Sequence, residues 1–177
     1  MIIVTMANWR EIDITNIEQY DFKFSELAMP ISMVNRYVGG LIRPLSVAEH
    51  SVRLHDSPQV QALGLAARKA ALAHDTSEGL MTDLINPIKR DPMASWYVEL
   101  ENKVQRHLFK VFDIPWADME AICPFDRRIC QDEVMQLRPG GRGFNMEPLG
   151  IDIPEADMGW LYWYNEMMER ADAYGLD

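Results

Sequence analysis

The chain has 177 residues, 48% of them hydrophobic, with 27 acidic residues against 17 basic ones and a formal net charge of −10. That apolar content excludes a disordered chain, and the length suits a single domain, residues 1–177, built round one core. The negative charge argues against long nucleic acid as a partner, though not against one nucleotide held in a local basic pocket.

Residues 1–23 read as irregular, with Glu11-Ile12-Asp13-Ile14-Thr15 alternating as a short strand or extended arm. The N-terminus is apolar but short, without a basic n-region or a cleavage-like site. No apolar run approaches the ~20 residues of a bilayer span. A cytoplasmic protein with no membrane partner is the expectation. Ser25 caps a helix expected to reach Val38, with Leu27, Ile31, Val34 and Val38 on one face and Gly39-Gly40 ending it. Pro44 and Ser46 open a second helix carrying His50. A third starts at Ser57 or Pro58, and its apolar stripe of Val60, Leu63, Ala67, Ala70 and Ala71 runs on to His74.

After a loop bounded by Pro87 and Pro92, a long amphipathic helix spans about 93–112, with Tyr97, Leu100, Val104, Leu108 and Val111 inward. A helical segment follows at 116–122, and Pro124 is placed at the first turn of a helix running to about Leu137. Pro139-Gly140-Gly141 breaks the chain before a last helix over about 155–174. That helix is crowded with Trp160, Tyr162, Trp163, Tyr164, Met167 and Met168, which points to deep burial or a subunit interface. The fold class is therefore all-α: a compact, single-domain helical bundle with its core at about 25–137. Cys123 and Cys130 read as free thiols of a reducing compartment.

The chemistry centres on Ala71-Leu72-Ala73-His74-Asp75-Thr76-Ser77-Glu78. Adjacent helical residues point about 100° apart, so His74 and Asp75 can share an ion only if other segments complete its shell. Glu78 lies one turn on and can share their face. His50 and His74 both sit on apolar faces, where an imidazole needs a partner. A buried carboxylate beside them is relieved by a divalent ion. His55 and His107 read as residues of charged helical surfaces. Two imidazoles with two carboxylates suit Zn²⁺, Mn²⁺, Fe²⁺ or Co²⁺ better than an ion that demands only oxygen, with Mg²⁺ a further option. Such an ion would activate water, and Glu78 would orient that water or move its proton.

His50, His74-Asp75 and Asp126 together resemble the H…HD…D signature of the HD-domain phosphohydrolases. Leu45-Ser46-Val47-Ala48-Glu49-His50-Ser51-Val52 is similar to the segment carrying the first ligand in the deoxynucleotidase branch. Ala73 to Glu78, Thr82-Asp83-Leu84 and Pro87-Ile88-Lys89 resemble that branch's HD helix and the loop after it. Asn35-Arg36-Tyr37 matches its Arg-aromatic pair. The resemblance runs from about residue 13 to residue 135. It implies Asp126 as the fourth ligand, because Arg127-Arg128 and a glutamate seven residues on, Glu133, follow it. Asp132 does not fit that pattern and reads as a surface residue.

The resemblance further implies that Arg36 contacts phosphate, that Tyr37 packs where a ribose 2′-hydroxyl would clash, that Lys89 meets an outer phosphate, and that Asp83 supports Glu78 or the attacking water. An arginine there gives a planar, bidentate phosphate contact. The branch holds 5′-deoxynucleotidases and compact viral enzymes hydrolysing dATP, and the short chain with Arg36-Tyr37-Val38-Gly39-Gly40 leans toward the latter. The expected activity is hydrolysis of 2′-deoxynucleoside 5′-phosphates, with a homo-oligomer, dimer or hexamer, as the assembly. The alternatives are a nucleotidase confined to monophosphates, another HD chemistry such as hydrolysis of a guanosine alarmone or cyclic dinucleotide, against which Arg36-Tyr37 argues, and a non-catalytic nucleotide-binding or helical interaction protein with a structural ion.

Overall fold

Nearly all of the regular structure in the computed structural model, which describes residues 1–177, is helical. The exception is a hairpin in which Ile3–Thr5 (β1) pairs antiparallel with Glu11–Asp13 (β2), Ile3 opposite Asp13. The strand read at residues 11–15 is thus present, and it ends at Asp13. The Asp13 carboxylate accepts from the Thr15 amide and hydroxyl and turns the chain into a 3₁₀ segment, Ile14–Gln19. No helix is long and apolar enough to cross a membrane.

Helix α1 is Phe24–Met33, shorter than expected, and Glu26 accepts the Lys23 amide at its start. The reading that carried it to Val38 fails because the backbone finds other partners. Asn35 bridges Ser46, the Arg36 amide donates to Leu45 and the Val47 amide to Val34. Residues 34–46 form a strap, and Val38 is 77% exposed rather than inward. Helix α2, Val47–Asp56, starts where the Ser46 hydroxyl accepts from the Glu49 amide at 3.0 Å.

The single third helix is two: α3, Pro58–Leu63, and α4, Leu65–Ala73. Gly64 divides them at φ +99°, ψ −174°, a conformation open essentially to glycine alone. Short turns follow as α5, Glu78–Met81, and α6, Asn86–Lys89. Then come α7, Ser95–Val111, and α8, Trp116–Leu137. The expected helix start at Pro124 is a correction, since α8 runs straight through that proline. An interior proline costs about 3 kcal/mol. Ile122 before it and Ile129 after it are buried in one cluster with Leu54, Val60, Ala67, Ala71 and Leu149, and this burial holds both halves to one axis. Helix α9, Trp160–Asp172, buries Trp163, Met167 and Ala171 and turns Trp160, Leu161 and Tyr162 outward.

The main core joins α1, α2, α4, α7 and α9. Helix α4 lies against both α2 and α8, and its inward alanines, Ala67, Ala70, Ala71 and Ala73, add little bulk between them. Gly79 lets α5 approach α1, because a Cβ there would come within 3.1–3.3 Å of Pro30, the Leu27 carbonyl and Ile31.

Between α4 and α5 the chain turns at 74–77, and α7 holds that turn. The buried Gln105 amide donates to the Ala73 carbonyl at 2.9 Å, and its oxygen accepts the Ser77 amide at 2.9 Å. Substituting Gln105→Leu strands a buried amide and is expected to cost about 1–3 kcal/mol. Thermal unfolding followed by circular dichroism should show the lower Tm; an unchanged Tm would mean the clamp carries no stability.

Candidate metal centre

Four side chains from three parts of the sequence come close together, with ligand atoms of His50, His74 and Asp75 mutually within 4.8 Å and Asp126 beside both histidines. His50 comes from α2, His74 from the end of α4, Asp75 from the turn after it, and Asp126 from α8. The two imidazole Nε2 atoms lie 3.2 Å apart. Asp126 Oδ1 is 3.0 Å from His50 Nε2 and 3.6 Å from His74 Nε2. Asp75 Oδ2 is 3.1 Å from His74 Nε2 and 3.9 Å from His50 Nε2. Both histidines are buried, whereas the Asp75 and Asp126 side chains are 20% and 29% exposed. Solvent therefore reaches the cluster from its carboxylate side.

The far nitrogens of the rings have partners of their own. His50 Nδ1 faces Glu133 Oε1 at 2.6 Å, and His74 Nδ1 faces the Ala71 carbonyl at 2.8 Å. Acceptors face both Nε2 atoms as well, Asp126 at His50 and Asp75 at His74, so carboxylates and a carbonyl surround both rings while their Nε2 atoms face each other. A positive charge, proton or metal, must lie between them. The pKa directions say the same. Burial and Arg36 oppose charge on His50, but Glu133 and Asp126 outweigh them and raise it. Burial likewise opposes charge on His74, and Asp75 and Asp126 raise it well above the usual value. Asp126 is held well below the carboxylate range by its two imidazoles, despite burial.

His50, His74 and Asp75 are a group that could hold a divalent ion, with Asp126 at their edge. Bonds of about 2.0–2.1 Å at tetrahedral or octahedral angles separate neighbouring ligand atoms by roughly 2.9–3.4 Å, and the observed separations lie in or near that range. Two neutral imidazoles and two carboxylates carry a charge of −2, which one M²⁺ neutralises. The mixed N/O set favours Zn²⁺, Mn²⁺, Fe²⁺ or Co²⁺.

One face of α8 supports this arrangement. Asp126, Cys130 and Glu133 recur at i, i+4 and i+7. Glu133 is fully buried; besides His50 it accepts the Tyr37 hydroxyl and lies 3.4 Å from Arg36 Nε. Burial pushes its carboxyl up, and His50 and Arg36 outweigh this and lower it. The carboxylate–imidazole pair fixes the ring and its tautomer, as such pairs do beside metals. Arg36 is itself buried, with Nη1 3.2 Å from Asp75 Oδ2 and Nη2 donating to Cys130 Sγ at 3.2 Å. Tyr37 stacks on Phe144 at 6.3 Å. Tyr37 and Val38 both adopt left-handed backbone, φ +57° and +56°. Such a conformation costs roughly 1–3 kcal/mol per non-glycine residue.

Glu78 is 5% exposed, and its Oε2 has no hydrogen-bond partner. Burial, then Asp75 and Asp83, raise its pKa well above the usual range. Asp83 thus reaches Glu78 through its charge. Lys89 Nζ is 3.8 Å from Glu78 Oε1 and is held more closely by Glu101, at 2.8 Å.

Some sequence readings need correction. Asp132 is not a surface residue: it is buried, and its carboxylate accepts the Leu149 and Gly150 amides, anchoring the segment before α9. His55 is not on a surface either: it is buried between Asp56 and Tyr174, whereas His107 does lie on a charged helical surface, beside Lys103, Arg106 and Lys110. The roles of Gln105 and Phe144 had no sequence signal. That of Glu133 had one, its position on the same helix face as Asp126.

Asp126→Asn should weaken binding of Co²⁺ or Mn²⁺ by tenfold or more while the protein stays folded. Asp132→Asn should lower Tm and leave ion affinity unchanged. Titration followed by Co²⁺ absorption separates them, and the reverse pattern would move the fourth ligand.

No protein-family model matches the chain. It is similar to an uncharacterized protein of Rhodobacter capsulatus, at 28% identity over 114 residues. That match covers 62% of this chain and 58% of the relative, so the chain spans less than two thirds of the length of the relative it matches.

Proposed function

We propose that the chain is an HD-type, metal-dependent phosphohydrolase acting on 2′-deoxynucleoside 5′-phosphates. The observation that carries this reading is the convergence of His50, His74, Asp75 and Asp126, with Arg36 against the cluster's carboxylate side. A divalent ion held by those four supplies Lewis acidity toward a phosphoryl oxygen and lowers the pKa of a water beside it. Arg36 brings a fixed positive charge to the phosphate in a planar, bidentate form. Glu78, whose buried carboxyl keeps its proton to higher pH than usual, suits delivery of that proton to the leaving oxygen. Tyr37, tied by its hydroxyl and stacked on Phe144, gives a rigid ring against which a 2′-hydroxyl would clash.

For a triphosphate the products are deoxynucleoside and triphosphate; for a monophosphate they are deoxynucleoside and orthophosphate. One observation favours the monophosphate as a second reading. Lys89, the residue suited to an outer phosphate, is already paired with Glu101.

The test is a panel of deoxy- and ribonucleotides, mono- to triphosphate, with Mn²⁺, Co²⁺, Zn²⁺ and Mg²⁺. Hydrolysis should favour the deoxy series, and Tyr37→Ala should erase that preference. Glu78→Gln should lower kcat by about 10²–10⁴-fold while ion binding persists. Absence of turnover across the whole panel would leave the ion a structural role and end the hydrolase reading.

A further inference from the structure

Tyr37 is not positioned to bind the ion, yet a single side chain separates it from a ligand. Glu133 offers one oxygen to His50 Nδ1, at 2.6 Å, and the other to the Tyr37 hydroxyl. The strap that carries Tyr37 is packed through Tyr37 and Leu41 on Leu45, Leu137 and Ile153 and anchored by Arg43 on Glu49, but its 37–38 turn is strained. Its two left-handed residues are a tyrosine and a β-branched valine, types that disfavour that conformation. Val38 is exposed and gains no burial in return. The strap backbone is fixed at its ends, where Arg36 N donates to Leu45 O and Ile42 N to Leu137 O. Between those points the Arg36 and Tyr37 side chains pin it, and both lead to Glu133.

Resting on the ion-centre reading above, we propose that Glu133 is a positioning residue that couples ion loading to the shape of the 36–40 strap. An ion on His50 Nε2 makes Nδ1–H a stronger donor and fixes its tautomer, which fixes the carboxylate. The fixed carboxylate holds the Tyr37 hydroxyl and, through it, the strained turn. Coupling of this kind is reciprocal, so the Tyr37 hydroxyl must in turn raise affinity for an ion it never touches.

A double-mutant cycle on the full chain tests this, read by Co²⁺ absorption titration and by hydrogen exchange of residues 36–42. Tyr37→Phe should weaken Co²⁺ binding by about threefold or more, and Glu133→Gln by about 10–100-fold. In the Glu133→Gln background, Tyr37→Phe should cost nothing further. Co²⁺ should slow exchange at 36–42 in the wild type and fail to do so in Tyr37→Phe. Unchanged affinity in Tyr37→Phe, or losses that multiply in the double variant, overturns the coupling. Should Glu133→Gln not fold, the Tyr37→Phe titration and its exchange data decide alone. A wild type that takes up no Co²⁺, Mn²⁺ or Zn²⁺ overturns the ion centre itself, an outcome distinct from an ion that binds without regard to Tyr37.

Discussion

Two imidazole Nε2 atoms facing each other across 3.2 Å, with a carboxylate against each, set the constraint that the rest of the molecule serves. Such an arrangement is repulsive until positive charge enters it. It persists only if each ring is held from behind, and each is: His50 by Glu133, His74 by the Ala71 carbonyl. The helices holding the rings are held in turn. Helix α4 lies against α2 and α8, and Gln105 on α7 closes the turn that carries Asp75 toward the same point.

Helix α8 shows how one periodicity serves three tasks. Its residues at 126, 130 and 133 supply a ligand, a sulfur partner for Arg36 and the carboxylate behind His50. The adjoining stripe, Ile122 and Ile129, buries against α3 and α4 and keeps the helix continuous through Pro124. Next to that stripe Asp132 ties down residues 149–150, and so the segment leading to α9.

The helical class was legible because strong apolar periodicity survives tertiary context, as at Val104 and Leu108 on α7. Boundaries were less legible where non-local partners won. Residues 34–38 look helical by pattern but pair with 44–47. Pro124 looks like a first-turn residue until burial on both sides of it is counted. In the site, His50, His74 and Asp75 could be named from residue types and spacing and Asp126 from the resemblance, and the structure places Asp126 beside both histidines. Their supports could not be. Gln105 is one polar residue on an amphipathic helix, and only its position opposite the 74–77 turn gives it a role. Asp132 and Asp126 are alike in sequence and differ in what lies across from them, two backbone amides for the first and two imidazoles for the second.

Charge completes the account of how the centre and its rim fit together. Inside, Arg36 lies between Glu133 and Asp75 and offsets one of the buried acids, while Asp75 and Asp126 face the two imidazoles. A neutral centre is affordable to bury; an anionic one is not. Beyond it, Lys89 faces Glu78 and Glu101, and burial with nearby acids keeps a proton on Glu78 to higher pH. The open carboxylate side is therefore bordered by a protonated Glu78 and by Arg36, which Asp75 and Cys130 hold. Glu133 meets the strap twice, at the Tyr37 hydroxyl and at Arg36 Nε, and holds His50 from behind, so one buried carboxylate joins the rim to the cluster.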